Sequence, residues 1–73
     1  MPHYAPLSAR EIIRALSKLG FKIQKQRGSH IKLVKVNSKS IIVVNEKEIS
    51  PGTLSSICKQ AGITKEGLYR LVK

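Results

Sequence analysis

The apolar residues of this chain change their spacing abruptly at Gly20, and this change limits the fold more than any other feature of the sequence. Before Gly20, Ile12 and Leu16 recur four residues apart, as on one face of an amphipathic helix. After it, Phe21 and Ile23 alternate with polar residues, which is the spacing of a half-buried strand. The sequence therefore predicts a helix that ends near Gly20 and leads directly into a sheet.

Both ends of this first helix carry local signals. Ser8 is a favourable N-cap, and Glu11 three residues later completes a capping box. Gly20 suits the left-handed position that follows a helix, and Phe21 can fold back on the last turn in a Schellman-type contact. These signals predict the first helix at about residues 8 to 19.

The rest of the chain divides into four further elements. β-branched residues and a short turn between them predict a strand pair, and Ser50, Pro51 and Gly62 frame a second helix. We predict strands over residues 31–36 and 41–44, a helix over about 51–61, and a short helix after Thr64. The order α-β-β-β-α, followed by a short extra helix, predicts an α+β domain. Its three-stranded antiparallel sheet would have both main helices on one face.

This arrangement leaves the second sheet face uncovered. If Ile31 and Leu33 point to the helices, His30 and Lys32 point to the uncovered face, because alternate strand residues share a face. The same alternation also sends the apolar residues 34 and 36 outward. We therefore expect strand two to twist or bulge partway.

Composition fits a small basic domain. The 73 residues carry 14 Lys and Arg against four acidic residues, a net charge of +10, so a polyanion is the expected partner. The single cysteine cannot form an internal disulfide, and the longest apolar run, Ile41–Val44, is far too short for a membrane span. We expect a cytoplasmic protein with no membrane association, an N-terminal arm at residues 1–6 and one domain at 7–73.

Most residues that could take part in catalysis or binding also fit an ordinary structural role. Cys58 lies on the apolar face of the second helix and is expected in the core. Three basic residues of the first helix form a stripe that equally suits RNA contact or a solvated face: Arg10, Arg14 and Lys18. All four acidic residues are glutamates and none are paired, which argues against a two-metal nuclease. Only three aromatic residues are present, too few for a base-stacking sheet.

His30 differs from these residues because its sequence neighbours suggest a role in catalysis. Most lone histidines at the start of a strand are ordinary surface residues. Here Arg27 and Lys32 flank it with positive charge, while Gly28 and Ser29 form a turn where a phosphate can approach the backbone. A histidine among cations suits metal-free RNA cleavage, in which a base activates the ribose 2′-hydroxyl.

Three segments resemble one known family. Residues 8–21 resemble the first helix of the HicA (YcfA-like) mRNA interferase toxins, S-x-K-E-[VL]-I-[KR]-x-L-x-x-x-G-F. Residues 28–32 resemble their G-S-H-x-K signature, and residues 48–63 resemble their E-[LI]-x-x-G-T-L-x-x-I-L-[KR]-Q-A-G-[LI] block. The resemblance spans about residues 7 to 71, in order and with short gaps.

The resemblance implies a double-stranded-RNA-binding-domain-like fold and ribosome-independent cleavage of mRNA. Because acidic residues are few, we expect this cleavage to use no metal or cofactor. It implies His30 as the catalytic residue, which we expect to act as general acid/base. From the charges and the turn around His30 we also expect RNA binding by Arg27, Gly28, Ser29 and Lys32. Secondary RNA-binding candidates are Arg10, Arg14, Lys18 and Lys25. It also implies a HicB-type antitoxin that covers the His30 face. One departure is that Glu46 stands in a segment where many relatives carry a second histidine.

Two alternatives stay open at this stage. A non-catalytic RNA-binding module of the double-stranded-RNA type normally has a lysine cluster at the start of its last long helix, yet residues 51–56 contain no lysine. The chain could also serve only as the target of an acidic partner, with RNA contact incidental.

Overall fold

A computed structural model describes residues 5–72, which form three helices and three strands. In chain order they are α1 (Ala9–Lys18), β1 (Lys22–Arg27), β2 (His30–Val34), β3 (Ile41–Val44), α2 (Pro51–Ala61) and α3 (Lys65–Val72). The strands form one antiparallel sheet in the order β1-β2-β3. This architecture confirms the predicted α+β, double-stranded-RNA-binding-domain-like fold. The predicted N-terminal arm lies outside the described residues, apart from Ala5 and Pro6.

The ends of α1 follow the sequence closely. The Ser8 hydroxyl accepts from the Glu11 backbone N–H at 3.1 Å, and the Glu11 carboxylate accepts from the Ser8 N–H at 3.0 Å, which completes the capping box. At the other end Gly20 has φ 101°, and the Phe21 N–H donates to the Leu16 carbonyl at 3.1 Å. This is the predicted Schellman ending, and it turns the chain straight into β1.

The core lies between the helices and one face of the sheet. Ile31 and Leu33 of β2 and Ile41 and Val43 of β3 are buried on that face. The helices cover them with a shared apolar layer consisting mainly of Ile12, Leu16, Leu54, Ile57 and Leu68. Cys58 belongs to the same layer, as predicted, and burial raises the pKa of its thiol despite the nearby Lys65 charge.

The extent of β2, the burial of β1 and the position of the irregularity, which lies in β1 rather than in strand two, depart from the sequence prediction. β2 ends at Val34 rather than at residue 36, because Val36 already lies in the turn, where it is 85% exposed and is followed by Asn37 at φ 62°. β1 was expected to be half buried, but all of its residues are exposed, Ile23 to 55%. Its predicted apolar partner Phe21 is buried just before the strand begins. β1 is therefore a solvated edge strand.

The segment just before α1 is bonded to α3 and to the segment just before α2. The Tyr69 hydroxyl donates to the Ala5 carbonyl, and the Ile49 N–H donates to the Leu7 carbonyl at 2.8 Å.

Within residues 5–72, no helix is long and apolar enough to cross a bilayer.

Candidate functional site

A bulge in β1 decides which of its side chains accompany His30. The pairing of β1 with β2 shifts between Ile23 and Lys25, so Gln24 is the extra residue. Before the bulge Ile23 lies opposite the buried Leu33; after it, Lys25 lies opposite Lys32. Directly opposite residues share a sheet face, so the bulge moves Lys25 to the uncovered face, where strict alternation would have sent it to the helix side.

The same pairing brings Arg27 beside His30. These two residues are direct partners across the β1–β2 pair, with Cα atoms therefore roughly 4.5–5.5 Å apart. On its other side His30 pairs with Val44 of β3. The His30 side chain is exposed, and Lys32 lies two residues further along the same face. The structure thus brings together His30, Arg27 and Lys32, as the sequence predicted.

We call the positively charged part of the uncovered face the basic row. It consists of Lys22, Lys25 and Arg27 of β1 and Lys32 of β2, all on the outward face, with His30 opposite Arg27 at one end of the row. None of the residues that the pairing places on this face is acidic. The row therefore presents an unbroken positive field to a ligand, which suits the closely spaced phosphates of a nucleic acid.

The other part of this face is apolar. Ile42 is 46% exposed, and Val34 and Val44 are half-buried beside it. The sequence analysis did not assign these residues a role, although the outward direction of residue 34 was noted. An apolar strip next to a basic row is a common composition of protein–protein interfaces, where large apolar side chains form the centre and charges form the rim.

The turn before His30 is fixed from both sides. Gly28 adopts φ 59°, and an added Cβ at this position would meet no atom within 4 Å. The Gln26 side-chain amide donates to the Gly28 carbonyl at 3.3 Å, and the Asn45 backbone N–H donates to the Ser29 carbonyl at 2.7 Å. The turn therefore combines open space above Gly28 with a backbone anchored to β1 and to the residue that follows β3.

The stripe on α1 does not join the basic row. α1 packs against β3 and α3, on the face of the sheet opposite His30. The Lys18 ammonium donates to the Leu71 carbonyl at 2.6 Å, so this lysine joins α1 to α3. Arg10 borders a hollow beside Asn45, and Arg14 is exposed. Of the four secondary RNA-binding candidates, only Lys25 lies on the same sheet face as His30; the other three belong to α1.

Among residues 5–72, no three His, Cys, Asp or Glu side chains form a group that could hold a metal ion. Glu46 contributes its backbone to the fold: its carbonyl accepts from the Ala9 N–H at 2.9 Å. This bond ties the segment after β3 to the start of α1.

Comparisons with known proteins agree with this fold. The family model described as the HicA toxin of bacterial toxin–antitoxin systems matches residues 9–63, about three quarters of the chain. A chain of a toxin–antitoxin complex from Streptococcus pneumoniae is similar in structure, with a TM-score of 0.72 and 30% sequence identity. The match covers 80% of this chain and 100% of that chain. No curated protein matches this sequence.

Proposed function

The chain belongs to the HicA family of bacterial toxin–antitoxin toxins, and from this membership we propose that it is an endoribonuclease that cuts mRNA with His30 as general acid/base. The observation that carries the proposal is the placement of an exposed histidine at the end of the basic row, directly opposite Arg27. We further propose that the protein acts in the cytoplasm, where its mRNA substrate lies.

The chemistry is a transesterification within the RNA strand. The His30 imidazole removes the proton of a ribose 2′-hydroxyl, and the 2′ oxygen attacks the adjacent phosphorus. As the new P–O2′ bond forms, the P–O5′ bond breaks. The 5′ oxygen takes a proton from the imidazolium or from water, leaving a 2′,3′-cyclic phosphate and a 5′-hydroxyl. No metal takes part in these steps.

The basic row supports this reaction by charge. Arg27 and Lys32 lie next to His30 on the same face, where they can hold the scissile phosphate and stabilise the negative charge that develops on its oxygens. Gly28 and Ser29 supply a turn with free space above it and backbone N–H groups nearby. Together these residues would position the 2′-hydroxyl, the phosphorus and the imidazole.

The experiment compares the wild-type protein with His30→Ala on a defined single-stranded RNA in EDTA. A general base contributes roughly 10²–10⁴-fold to a rate, so we expect cleavage by His30→Ala to fall at least 100-fold. Because the His30 side chain is exposed, the thermal unfolding midpoint of His30→Ala should match that of the wild-type protein. Lys59→Ala, which removes an exposed side chain of α2, serves as the control and should retain full activity.

Two results would contradict the proposal. Wild-type activity in His30→Ala would remove this residue from the mechanism. RNA binding by wild-type protein without any cleavage would favour the non-catalytic double-stranded-RNA-binding module instead.

We also propose that a HicB-type antitoxin covers the His30 face. The apolar strip of Val34, Ile42 and Val44 gives such a partner a hydrophobic contact, and the basic row favours acidic side chains around it. Ile42→Asp should therefore weaken antitoxin binding at least tenfold in calorimetry, whereas Lys59→Ala should not. Unchanged binding by Ile42→Asp would place the antitoxin elsewhere.

A further inference from the structure

A hollow of about 300 Å³ opens behind the His30 turn, on the helix side of the sheet. Its lining combines three apolar side chains, two amides and one cation: Ile13, Ile23, Ile31, Arg10, Gln26 and Asn45. The volume lies at the lower end of the range for small-molecule pockets, roughly 300–1,000 Å³, and suits one flat ring system with part of its sugar. The reaction proposed above uses none of its polar side chains.

Two hydrogen bonds connect the hollow to the candidate active site. Gln26 and Asn45 both line the hollow, and they are also the residues that hold the Gly28–Ser29 turn from either side. Ile31, at its base, directly follows His30. A nucleotide chain that passes over this turn can therefore place a phosphate at His30 and an adjoining base in the hollow.

The polar side chains that line the hollow have unused hydrogen-bond donors and acceptors for a ligand. Within residues 5–72, neither the Asn45 side-chain amide nor the Arg10 guanidinium forms a hydrogen bond. Gln26 uses its amide nitrogen on the turn, which leaves its amide oxygen as an acceptor. The hollow thus offers donors and acceptors together with one positive charge.

The apolar lining favours a planar ring. Ile23 remains 55% exposed although its strand position faces the helix side of the sheet, and Ile13 of α1 borders the same space. Apolar side chains facing a flat base exclude water from both partners, while amides read its edge. Sequence-specific recognition of RNA uses such contacts with the bases of single strands.

We propose that this hollow binds a purine base of the RNA strand next to the cleaved phosphate. A purine presents the N7 acceptor beside the group on C6. An amide such as that of Asn45 matches this pair in adenine, and a guanidinium such as that of Arg10 matches it in guanine. The net charge of +10 favours this occupant, because a base arrives attached to phosphates. The proposal rests on RNA being the substrate, as proposed above.

The test uses binding as well as cleavage. Fluorescence anisotropy on the His30→Ala background would compare a 12-mer of uridine with 12-mers carrying one central adenosine or guanosine. A well-formed contact of this kind discriminates about tenfold between bases, so one purine should tighten binding by about that factor. Asn45→Ala should abolish the preference for adenosine while preserving the turn, because the Ser29 carbonyl is held by the Asn45 backbone. Gln60→Ala, an exposed amide of α2, is the matched control.

Cleavage mapping on a mixed-sequence RNA completes the test. Cuts by the wild type should cluster beside purines, and Asn45→Ala should cut with a flatter profile. Equal affinity of the parent protein for all three 12-mers would overturn the proposal, as would an undiminished purine preference in both Asn45→Ala and Ile23→Ala. A purine preference without any cleavage by wild-type protein would support the hollow and refute the ribonuclease mechanism, so the two failures can be told apart.

Discussion

RNA affinity should depend on salt through the basic row. Each phosphate contact with single-stranded nucleic acid contributes about 0.7 to the slope of log K against log salt, so four cations predict a slope of about −2.8. Lys25→Gln or Lys32→Gln, both on the uncovered face beside each other, should each bring the slope to about −2.1. Changing both should give about −1.4, the value expected when each lysine neutralises its own phosphate.

The assay is a titration of a fluorescent single-stranded RNA at several NaCl concentrations between 50 and 200 mM. The His30→Ala background prevents cleavage during the measurement. Lys59→Gln removes one positive charge from α2, so it separates a local contact from the effect of net charge. Arg14→Gln does the same for the stripe on α1.

The result that would refute this reasoning is specific. If Arg14→Gln lowers the magnitude of the slope by about 0.7 while Lys25→Gln leaves it unchanged, RNA binds along α1 rather than on the sheet. Equal small effects of all four substitutions would show that only the net charge of the protein matters.

Three further predictions concern stability. Ser8→Ala removes the capping box and should lower the free energy of unfolding by about 1 kcal/mol in urea titrations, and an unchanged midpoint would contradict the role of the cap. Leu68→Ala should cost about 3 kcal/mol in the same assay because Leu68 is fully buried, and a loss under 1 kcal/mol would mean that α3 packs loosely. Burial raises the pKa of Cys58 above its ordinary value of 9.0, so its contribution to stability is present below pH 9 and is lost as the pH rises through the higher pKa of the folded protein. Subtracting the stability profile of Cys58→Ala isolates this loss, and parallel profiles would refute it.

The features that the sequence predicted correctly depend on neighbours along the chain. The capping box needs only Ser8 and Glu11, and the ending of α1 needs only Gly20 and the residue after it. Such helix ends are determined almost completely by a few residues that are adjacent in the chain. For the same reason α2 begins at Pro51 and ends at Ala61, as predicted.

The sheet was harder because its details depend on pairing between distant residues. The sequence analysis expected an irregularity in strand two, whereas the irregularity lies in β1 between Ile23 and Lys25. Gln24 carries no local sign of being an extra residue; it becomes one only when β1 pairs with a β2 whose Leu33 must stay buried. The placement of Lys25 near His30 therefore could not be deduced from spacing.

The hollow shows the same limit for the candidate site. Arg10, Gln26 and Asn45 are far apart in sequence, and no sequence pattern links the three. They meet because α1 packs over the sheet while the segment after β3 returns beside the His30 turn. Such a constellation emerges only from the tertiary structure, whereas His30 stood out because its charged neighbours are also its sequence neighbours.

Gly28 allows the two possible roles of the His30 turn to be separated. Its φ of 59° disfavours most side chains, so Gly28→Ala should cost about 1 kcal/mol of stability, and Gly28→Asn should cost less because asparagine tolerates this conformation. No protein atom lies within 4 Å of an added Cβ, so neither variant should clash in the free protein. If a phosphate approaches the turn, as we propose, both side chains will occupy its space and both variants will lose most RNA cleavage while remaining folded by circular dichroism. Full activity of Gly28→Asn would instead show that only the backbone conformation matters, and that the phosphate binds away from this turn.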